Sequence, residues 1–222
     1  MPTDENAPIE VTAFAWVPPF ARGFVRDLRV RWALEEAELA YESRWIDIEE
    51  RNSDVYRRKH PFGMVPVLES GDGALIESGA IVYAIAEQCE VLMPAEQRVE
   101  TLTWMFAALN TVEPPLWNLL VLDQQHHDEA WAKLRRPGAV DEAKARLAGL
   151  SEWFDGRNYL LSHFTAADIL MTTVLRFIRH TDLVAGFPLL DAYVKRCEAR
   201  PAFKAALRDQ MADYARNEPV AA

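Results

Sequence analysis

The 222-residue chain, 50% hydrophobic and 26% charged, has the composition of a globular protein of one or two domains. Its formal net charge of −10 argues against nucleic acid or an anionic membrane as a general partner. No apolar run approaches the roughly 20 residues of a membrane span, and the acidic start does not resemble a signal peptide. The two cysteines are too few for a disulfide framework and predict reduced thiols. We therefore expect a cytoplasmic location.

The first part of the chain predicts alternating strands and helices. Apolar residues alternate in its strand-like runs and recur at helical spacing between them. The predicted elements are a strand over Ile9–Ala15, a helix over Phe24–Glu38, a strand over Tyr41–Ile48, a polar loop or short helix over Ile48–Lys59, two strands over Val65–Leu68 and Ala74–Ile76 joined by a turn at Glu69–Gly73, and a helix over Ser78–Cys89. This order, β-α-β-α-β-β-α, is that of a thioredoxin-like α/β domain.

The second part predicts helices only. The periodicity stays helical after Pro94, and proline clusters mark the predicted helix ends. The predicted helices are Glu96–Val112, Leu116–Leu134, Val140–Phe154, Thr165–His180, Leu189–Arg200 and Pro201–Arg216. We therefore expect a thioredoxin-like domain at residues 8–92 and an all-α domain at residues 96–216.

Two neighbouring motifs in the first part predict a binding site for a small zwitterion. Pro66 interrupts a strand-like run, where a cis Val65–Pro66 peptide bond would leave the Val65 backbone open to a ligand. Glu77 and Ser78 end a short strand and open a helix. A carboxylate there can bind an ammonium group, while the hydroxyl and the helix N-terminal amides bind a carboxylate.

A third motif lies in the helical part, at the start of one predicted helix. Thr165 and Asp168 have the spacing of a capping box, and Phe164 and Ile169 have that of a hydrophobic staple. We interpret Asp168 as a structural carboxylate and not as a catalytic one.

These motifs, in this order, resemble those of the cytosolic glutathione transferases, and Arg29–Glu36 is similar to the first helix of many bacterial members. The resemblance implies a thioredoxin-like domain followed by a helical one, glutathione as substrate and a homodimer. It implies that Val65, with Pro66, holds the cysteinyl backbone and that Glu77 and Ser78 hold the γ-glutamyl group. Met64 stands where many relatives carry a polar residue, and its backbone would still serve.

The usual activating group of these transferases is missing here. They activate the glutathione thiol with a hydroxyl or a cysteine at the start of the first helix, but Phe14–Arg31 contains no Ser, Thr, Tyr or Cys. Phe24 or Val25 takes that position. Backbone N–H groups there, helped by Arg22 or Arg26, could stabilise the thiolate, or the arginines could be only a solvated helix edge.

The sequence leaves two functions open. The first is a transferase that adds the glutathione thiolate to a small apolar electrophile, or uses it in isomerisation or reduction, with Trp104 at the electrophile pocket as the resemblance implies. The second is a non-catalytic glutathione-binding or protein-interaction module. A thioredoxin-type oxidoreductase would need a cysteine near residues 17–26, which is lacking. His126, His127 and Asp128 do not suggest a metal site, because adjacent histidines point to different helix faces.

Overall fold

The computed structural model describes residues 3–4, 7–71 and 73–219. The chain forms two compact units. The first unit comprises the chain up to Leu92 and the segment from Arg200 onward, and the second comprises Met93–Ala199. The C-terminal segment, expected in the helical domain, thus belongs to the first unit by its contacts, and the domain bounds 8–92 and 96–216 stay a prediction.

The first unit contains a mixed four-stranded sheet with strand order β2-β1-β3-β4. The strands are β1, Glu10–Phe14; β2, Glu42–Ile46; β3, Leu68–Ser70; and β4, Gly73–Leu75. β1 pairs parallel with β2 and antiparallel with β3, and β3 pairs antiparallel with β4. The predicted strand over Val65–Leu68 begins only at Leu68, because Pro66 has no N–H for a ladder. Part of the predicted hairpin turn, Asp72, lies outside the described residues.

Five α-helices accompany this sheet among the described residues of the first unit. They are α1, Asp27–Glu36; α2, Ile48–Asn52; α3, Asp54–Lys59; α4, Ser78–Ala86; and the last helix of the chain, Pro201–Arg216. α2 and α3 occupy the segment predicted as a loop or short helix, and the side chains of Asp47 and Ser53 cap them. The helix predicted from Phe24 begins at Asp27, since residues 22–26 form turns.

α1 is the central helix of the first unit. Its residues from Asp27 to Leu34 are all buried, and it packs against α4 and against the last helix, Pro201–Arg216. Two buried charges of α1, Asp27 and Arg31, are paired, which offsets the cost of their burial. Arg31 donates from Nε to Asp27 over 2.8 Å and from Nη2 to Asp213 over 2.7 Å, and Gln210 donates to Asp27 over 2.8 Å. The C-terminal helix is therefore part of the core of this unit.

The second unit is helical throughout its described secondary structure. Its α-helices are α5, Arg98–Phe106; α6, Glu113–Gln124; α7, Ala130–Trp153; α8, Ala166–Leu175; and α9, Pro188–Glu198. The Pro201–Arg216 helix of the first unit is hereafter α10. Among the described residues, no helix combines the length and the apolar character that crossing a membrane requires.

At two places in the second unit, prolines that are predicted to end a helix do not end it. The sequence predicts a helix end at Glu113–Pro115, but a π-helical turn over Ala107–Val112 connects α5 to α6, and both prolines lie in the first turn of α6. The N–H groups in the first turn of a helix have no intrahelical acceptor, so prolines, which lack an N–H, are tolerated there.

The predicted helix break at Arg136–Gly138 is also wrong, because α7 runs through it. Pro137 lies inside α7, and its side chain is exposed together with that of Lys133, one turn earlier. Water can therefore reach the Lys133 carbonyl, which lacks the N–H that a residue other than proline would supply. The predicted separate helices Leu116–Leu134 and Val140–Phe154 are instead α6, which ends at Gln124, and the single long α7.

The capping box at the start of α8 is confirmed. Asp168 is fully buried and accepts hydrogen bonds from the Thr165 N–H over 2.9 Å, the Leu160 N–H over 3.0 Å and the Tyr193 hydroxyl over 3.0 Å. The carboxylate thus connects the loop before α8, the first turn of α8 and α9, as expected of a structural residue.

Candidate functional site

One apolar cluster in the first unit brings three predicted site segments together. Its buried members are Ile46, Tyr56, Val65 and Val67, and Phe14, Val25 and Ile76 pack against them. Val25 precedes α1, Val65 precedes Pro66, and Ile76 precedes Glu77. The cluster therefore joins the loop after β1, the proline loop and the entry to α4.

The Val65–Pro66 peptide bond is cis, which confirms the prediction. The N–H and C=O groups of Val65 have no hydrogen-bond partner among the described residues. On either side the loop is held firmly: the Thr12 N–H donates to the Val67 carbonyl over 2.8 Å, and the Tyr56 hydroxyl donates to the Met64 carbonyl over 2.7 Å. The Met64 carbonyl is therefore already used by Tyr56. The Met64 side chain is exposed, so its thioether faces solvent.

Glu77 and Ser78 form the start of α4. Glu77 is the N-cap residue with an unusual φ of 65°, and its side chain is exposed, whereas Ser78 is buried. The Ile81 N–H makes the first hydrogen bond of the helix, to the Glu77 carbonyl over 2.9 Å. The N–H groups of Ser78, Gly79 and Ala80 have no partner among the described residues, so α4 presents an N-terminus suited to an anion.

Arg29 lies behind this helix start. It sits on α1, is only 2% exposed, and donates from Nη1 to the Ser78 hydroxyl oxygen over 3.2 Å. The sequence places Arg29 among several arginines of this region but does not distinguish it from them. The available signal was its position in a helix whose neighbours, Leu28 and Val30, are apolar and buried.

His60 is a second residue near the site that the sequence did not indicate. It is 2% exposed, and its Nδ1 has no partner among the described residues. Burial lowers the pKa of His60, while the Glu77 carboxylate acts in the opposite direction. The histidine follows α3, and its backbone N–H and carbonyl bond to Tyr56 and Gly63.

The loop before α1 contains the predicted thiol-activating positions. The Phe24 N–H donates to the Ala21 carbonyl over 3.0 Å, so that group is already used. The Val25 N–H has no partner among the described residues. Arg22 pairs with Glu218 over 3.1 Å, and Arg26 is the N-cap residue of α1. Of the predicted backbone groups, Val25 is therefore the better placed to donate to a ligand.

Trp104 lies in the second unit, on α5. Its ring packs against that of Trp153 with centroids 4.8 Å apart, and its role at an electrophile pocket stays a prediction. His126 pairs with Glu129 over 2.7 Å and His127 with Asp128 over 3.0 Å. The part of the chain that the structure describes contains no group of three or more His, Cys, Asp or Glu residues that could hold a metal ion.

Comparison with known proteins identifies the family. Residues 28–91 match the family model described as glutathione S-transferase, N-terminal domain, and residues 123–201 match the one described as glutathione S-transferase, C-terminal domain. Together these segments make up more than half of the chain. The chain belongs to the glutathione S-transferase family. The predicted fold class, a thioredoxin-like domain followed by an all-α domain, is thereby confirmed.

Individual relatives show how this glutathione S-transferase family member compares with its neighbours. It is 28% identical to glutathione S-transferase 4 of Zea mays over 86% of this chain and 89% of the relative. It is 27% identical to elongation factor 1-gamma of Homo sapiens, over 68% of this chain but only 36% of that protein. A crystal structure of a glutathione transferase from Pseudomonas putida with glutathione disulfide bound has a TM-score of 0.79 at 22% identity, and covers 93% of this chain and 94% of that one.

Proposed function

We propose that the chain binds glutathione in its first unit and adds the glutathione thiolate to a small apolar electrophile, or uses the thiolate in isomerisation or reduction. The observation that carries this proposal is the Val65 backbone, whose N–H and C=O lack partners among the described residues next to the cis proline. A backbone N–H and C=O pair without partners can bind a peptide in extended conformation, as an added strand does. The cysteinyl residue of glutathione is a ligand of this kind.

The start of α4 suits the γ-glutamyl end of the same ligand. This end carries one ammonium group and one carboxylate. The exposed Glu77 carboxylate would bind the ammonium group, and the Ser78 hydroxyl with the first N–H groups of α4 would bind the carboxylate. Ile76 and Val65 pack in the same cluster, which keeps the two binding segments adjacent.

Activation of the sulfur would rest on the loop before α1. The Val25 N–H would donate to the thiolate, and the positive charges of Arg22 and Arg26 would lower the thiol pKa. Phe24 would shape the loop and not donate, because its N–H already binds Ala21. No metal ion takes part in this proposal.

Trp104 would border the pocket for the electrophile. The protein would act as a homodimer in the cytoplasm, where reduced glutathione is available. Solution molecular mass measured by light scattering would test the dimer independently of any activity.

A second candidate is a non-catalytic glutathione-binding or protein-interaction module. Two observations favour it: Phe14–Arg31 contains no hydroxyl or thiol side chain, and the chain is similar to elongation factor 1-gamma. The Val65 backbone and the Ser78 hydroxyl favour glutathione binding both in a transferase and in a non-catalytic module.

Calorimetric titration with glutathione, combined with turnover assays, separates the two candidates. The transferase proposal expects saturable binding and thioether formation or disulfide reduction with at least one compound in a panel of electrophiles and disulfides. Saturable binding without any turnover would support the module. Absence of glutathione binding, with oxidised glutathione also failing to bind, would contradict the transferase and the glutathione-binding module, and would leave only a protein-interaction module.

A further inference from the structure

We propose that Arg29 is the positioning residue of the carboxylate subsite, because it fixes the direction in which the Ser78 hydroxyl donates its proton. The inference rests on the proposed glutathione site and adds to it a residue of α1 that would not touch the ligand. Arg29 would act through Ser78, and it would set the preference of this subsite for a carboxylate.

The geometry places both partners out of solvent. Arg29 is 2% exposed and Ser78 is 5% exposed, and Nη1 of Arg29 lies 3.2 Å from the Ser78 hydroxyl oxygen. α1 and α4 pack against each other, so the two side chains are held by helices and not by loops. A residue held in this way keeps its orientation when a ligand binds.

The donor and acceptor roles in this contact are fixed by chemistry. A guanidinium group has only N–H donors, so the Ser78 oxygen must accept this hydrogen bond. The hydroxyl proton is then left to donate elsewhere, and it has no acceptor among the described residues. Without Arg29 the hydroxyl could rotate and present either a proton or a lone pair. With Arg29 it presents a proton, which suits an anionic acceptor.

The positive charge of Arg29 acts in the same direction. A buried cation behind the hydroxyl strengthens the hydrogen bond to an anion, and the adjoining N-terminus of α4 adds its own partial positive charge. Glu77, with its negative charge, lies one residue earlier in the chain. The subsite therefore favours the α-carboxylate of a γ-glutamyl group beside its ammonium group, and it should discriminate against a ligand that lacks the carboxylate.

A decarboxylated ligand provides the test. 4-Aminobutyryl-cysteinyl-glycine keeps the ammonium group, the thiol and the glycine of glutathione but lacks the α-carboxylate. Calorimetry would give the Kd of glutathione and of this analogue for the wild type, Arg29→Met, Arg29→Lys, Ser78→Ala and the double variant Arg29→Met/Ser78→Ala. Arg58→Met is the matched control, because Arg58 is exposed on α3 and makes no hydrogen bond to Ser78.

We expect Arg29→Met to weaken glutathione binding about tenfold, because the charge-assisted hydrogen bond from the Ser78 hydroxyl to the carboxylate would be lost. The Kd of the analogue, which has no carboxylate at this position, should stay unchanged. The double variant should bind glutathione no more weakly than the weaker-binding single variant, because both substitutions remove the same interaction with the carboxylate. Arg29→Lys, which keeps the charge but not the guanidinium, should lose less. It also serves if Arg29→Met does not fold.

Several outcomes would overturn the inference. Equal weakening of both ligands by Arg29→Met or Arg29→Lys would show a merely structural role. Unchanged glutathione affinity in both variants would show that Ser78 does not need Arg29. Fully additive losses in the double variant would show two independent contacts. Failure of the wild type to bind glutathione is a distinct result, because it contradicts the proposed function itself.

Discussion

Arg31 of α1 donates to Asp213 of α10 over 2.7 Å, so a buried ion pair joins two helices that lie far apart in the sequence. The same guanidinium binds Asp27, and Gln210 of α10 binds Asp27 in turn. Gln210 also donates to the Val25 carbonyl over 3.4 Å, in the loop that would bind the sulfur. The C-terminal helix thus holds the start of α1 and the loop before it.

The first prediction concerns the stability of this ion pair. Asp213→Ala would leave part of the charge of Arg31 buried without a partner, and the Arg31 side chain is only 1% exposed. We expect a loss of about 3 kcal/mol in the free energy of unfolding, toward the low end of the range for broken buried pairs because Arg31 keeps Asp27. Urea unfolding would measure it.

Asp191→Ala is the matched control. Asp191 pairs with Lys195 at an i, i+4 spacing on α9, and that lysine is 73% exposed. An exposed pair of this kind contributes at most about 1 kcal/mol. Equal losses in the two variants would contradict the view that α10 is part of the core of the first unit.

The sequence predicts the bounds of α10 but not the unit to which it belongs. Its bounds, Pro201–Arg216, are those predicted, because a proline begins it and helical spacing continues to the end. Its assignment to the first unit depends on which buried charges meet, and periodicity does not show this. The same holds for Pro137, since the sequence does not show that its place in α7 is exposed, where water can reach the carbonyl that proline leaves without an N–H.

The second prediction concerns the cap of α8. Thr165→Ala should lower the free energy of unfolding by about 0.5–2 kcal/mol and should leave glutathione affinity unchanged. Thr103→Ala is the control, because Thr103 is exposed within α5 and its hydroxyl donates to the Val99 carbonyl of its own helix. Surface changes of this kind usually stay within about 0.5 kcal/mol. A large loss of activity at full stability would show that this segment takes part in the chemistry.

The third prediction is a pH dependence at Asp168. Burial raises its pKa to about 6, although Leu160, Thr165 and Tyr193 donate hydrogen bonds to the carboxylate. Between the ordinary value of 3.8 and about 6, the folded state holds a proton that the unfolded state has released. The contribution of this carboxyl group to stability is therefore largest at low pH and falls as the pH rises through that window.

Comparison with Asp168→Asn isolates this titration from other acidic groups. The free energy of unfolding of the wild type minus that of Asp168→Asn should fall between about pH 4 and about pH 7, by on the order of 3 kcal/mol. Urea unfolding at several pH values would measure the difference. A difference that stays constant, or rises with pH, would contradict the raised pKa.

The site could be predicted from the sequence in part. Pro66, Glu77 and Ser78 are recognisable because each interrupts or begins an element and so has a local signature. Arg29 has no such signature, because its function would depend on the contact with Ser78, 49 positions away. His60 is similar, since only the fold shows that it is buried near the carboxylate of Glu77.

The fourth prediction concerns ligand affinity at the start of α4. Glu77→Gln and Ser78→Ala should each weaken glutathione binding by about 1.5–3 kcal/mol, or roughly tenfold to a hundredfold, with the fold intact. Glu49→Gln, an exposed residue of α2, is the control for the loss of one negative charge. Unchanged affinity in both site variants would mean that the ligand does not bind at this helix start.

The last prediction concerns how the sulfur is activated without a hydroxyl group. If the Val25 N–H and an arginine stabilise the thiolate, the bound thiol should have a pKa below that of free glutathione, and Arg22→Ala or Arg26→Ala should raise it. Glu218→Gln should lower it, because Glu218 pairs with Arg22 over 3.1 Å and offsets its charge. Val25→Ala keeps the N–H and should change little. Ultraviolet titration of the bound thiolate would measure these shifts, and an unshifted pKa in the wild type would favour the non-catalytic module.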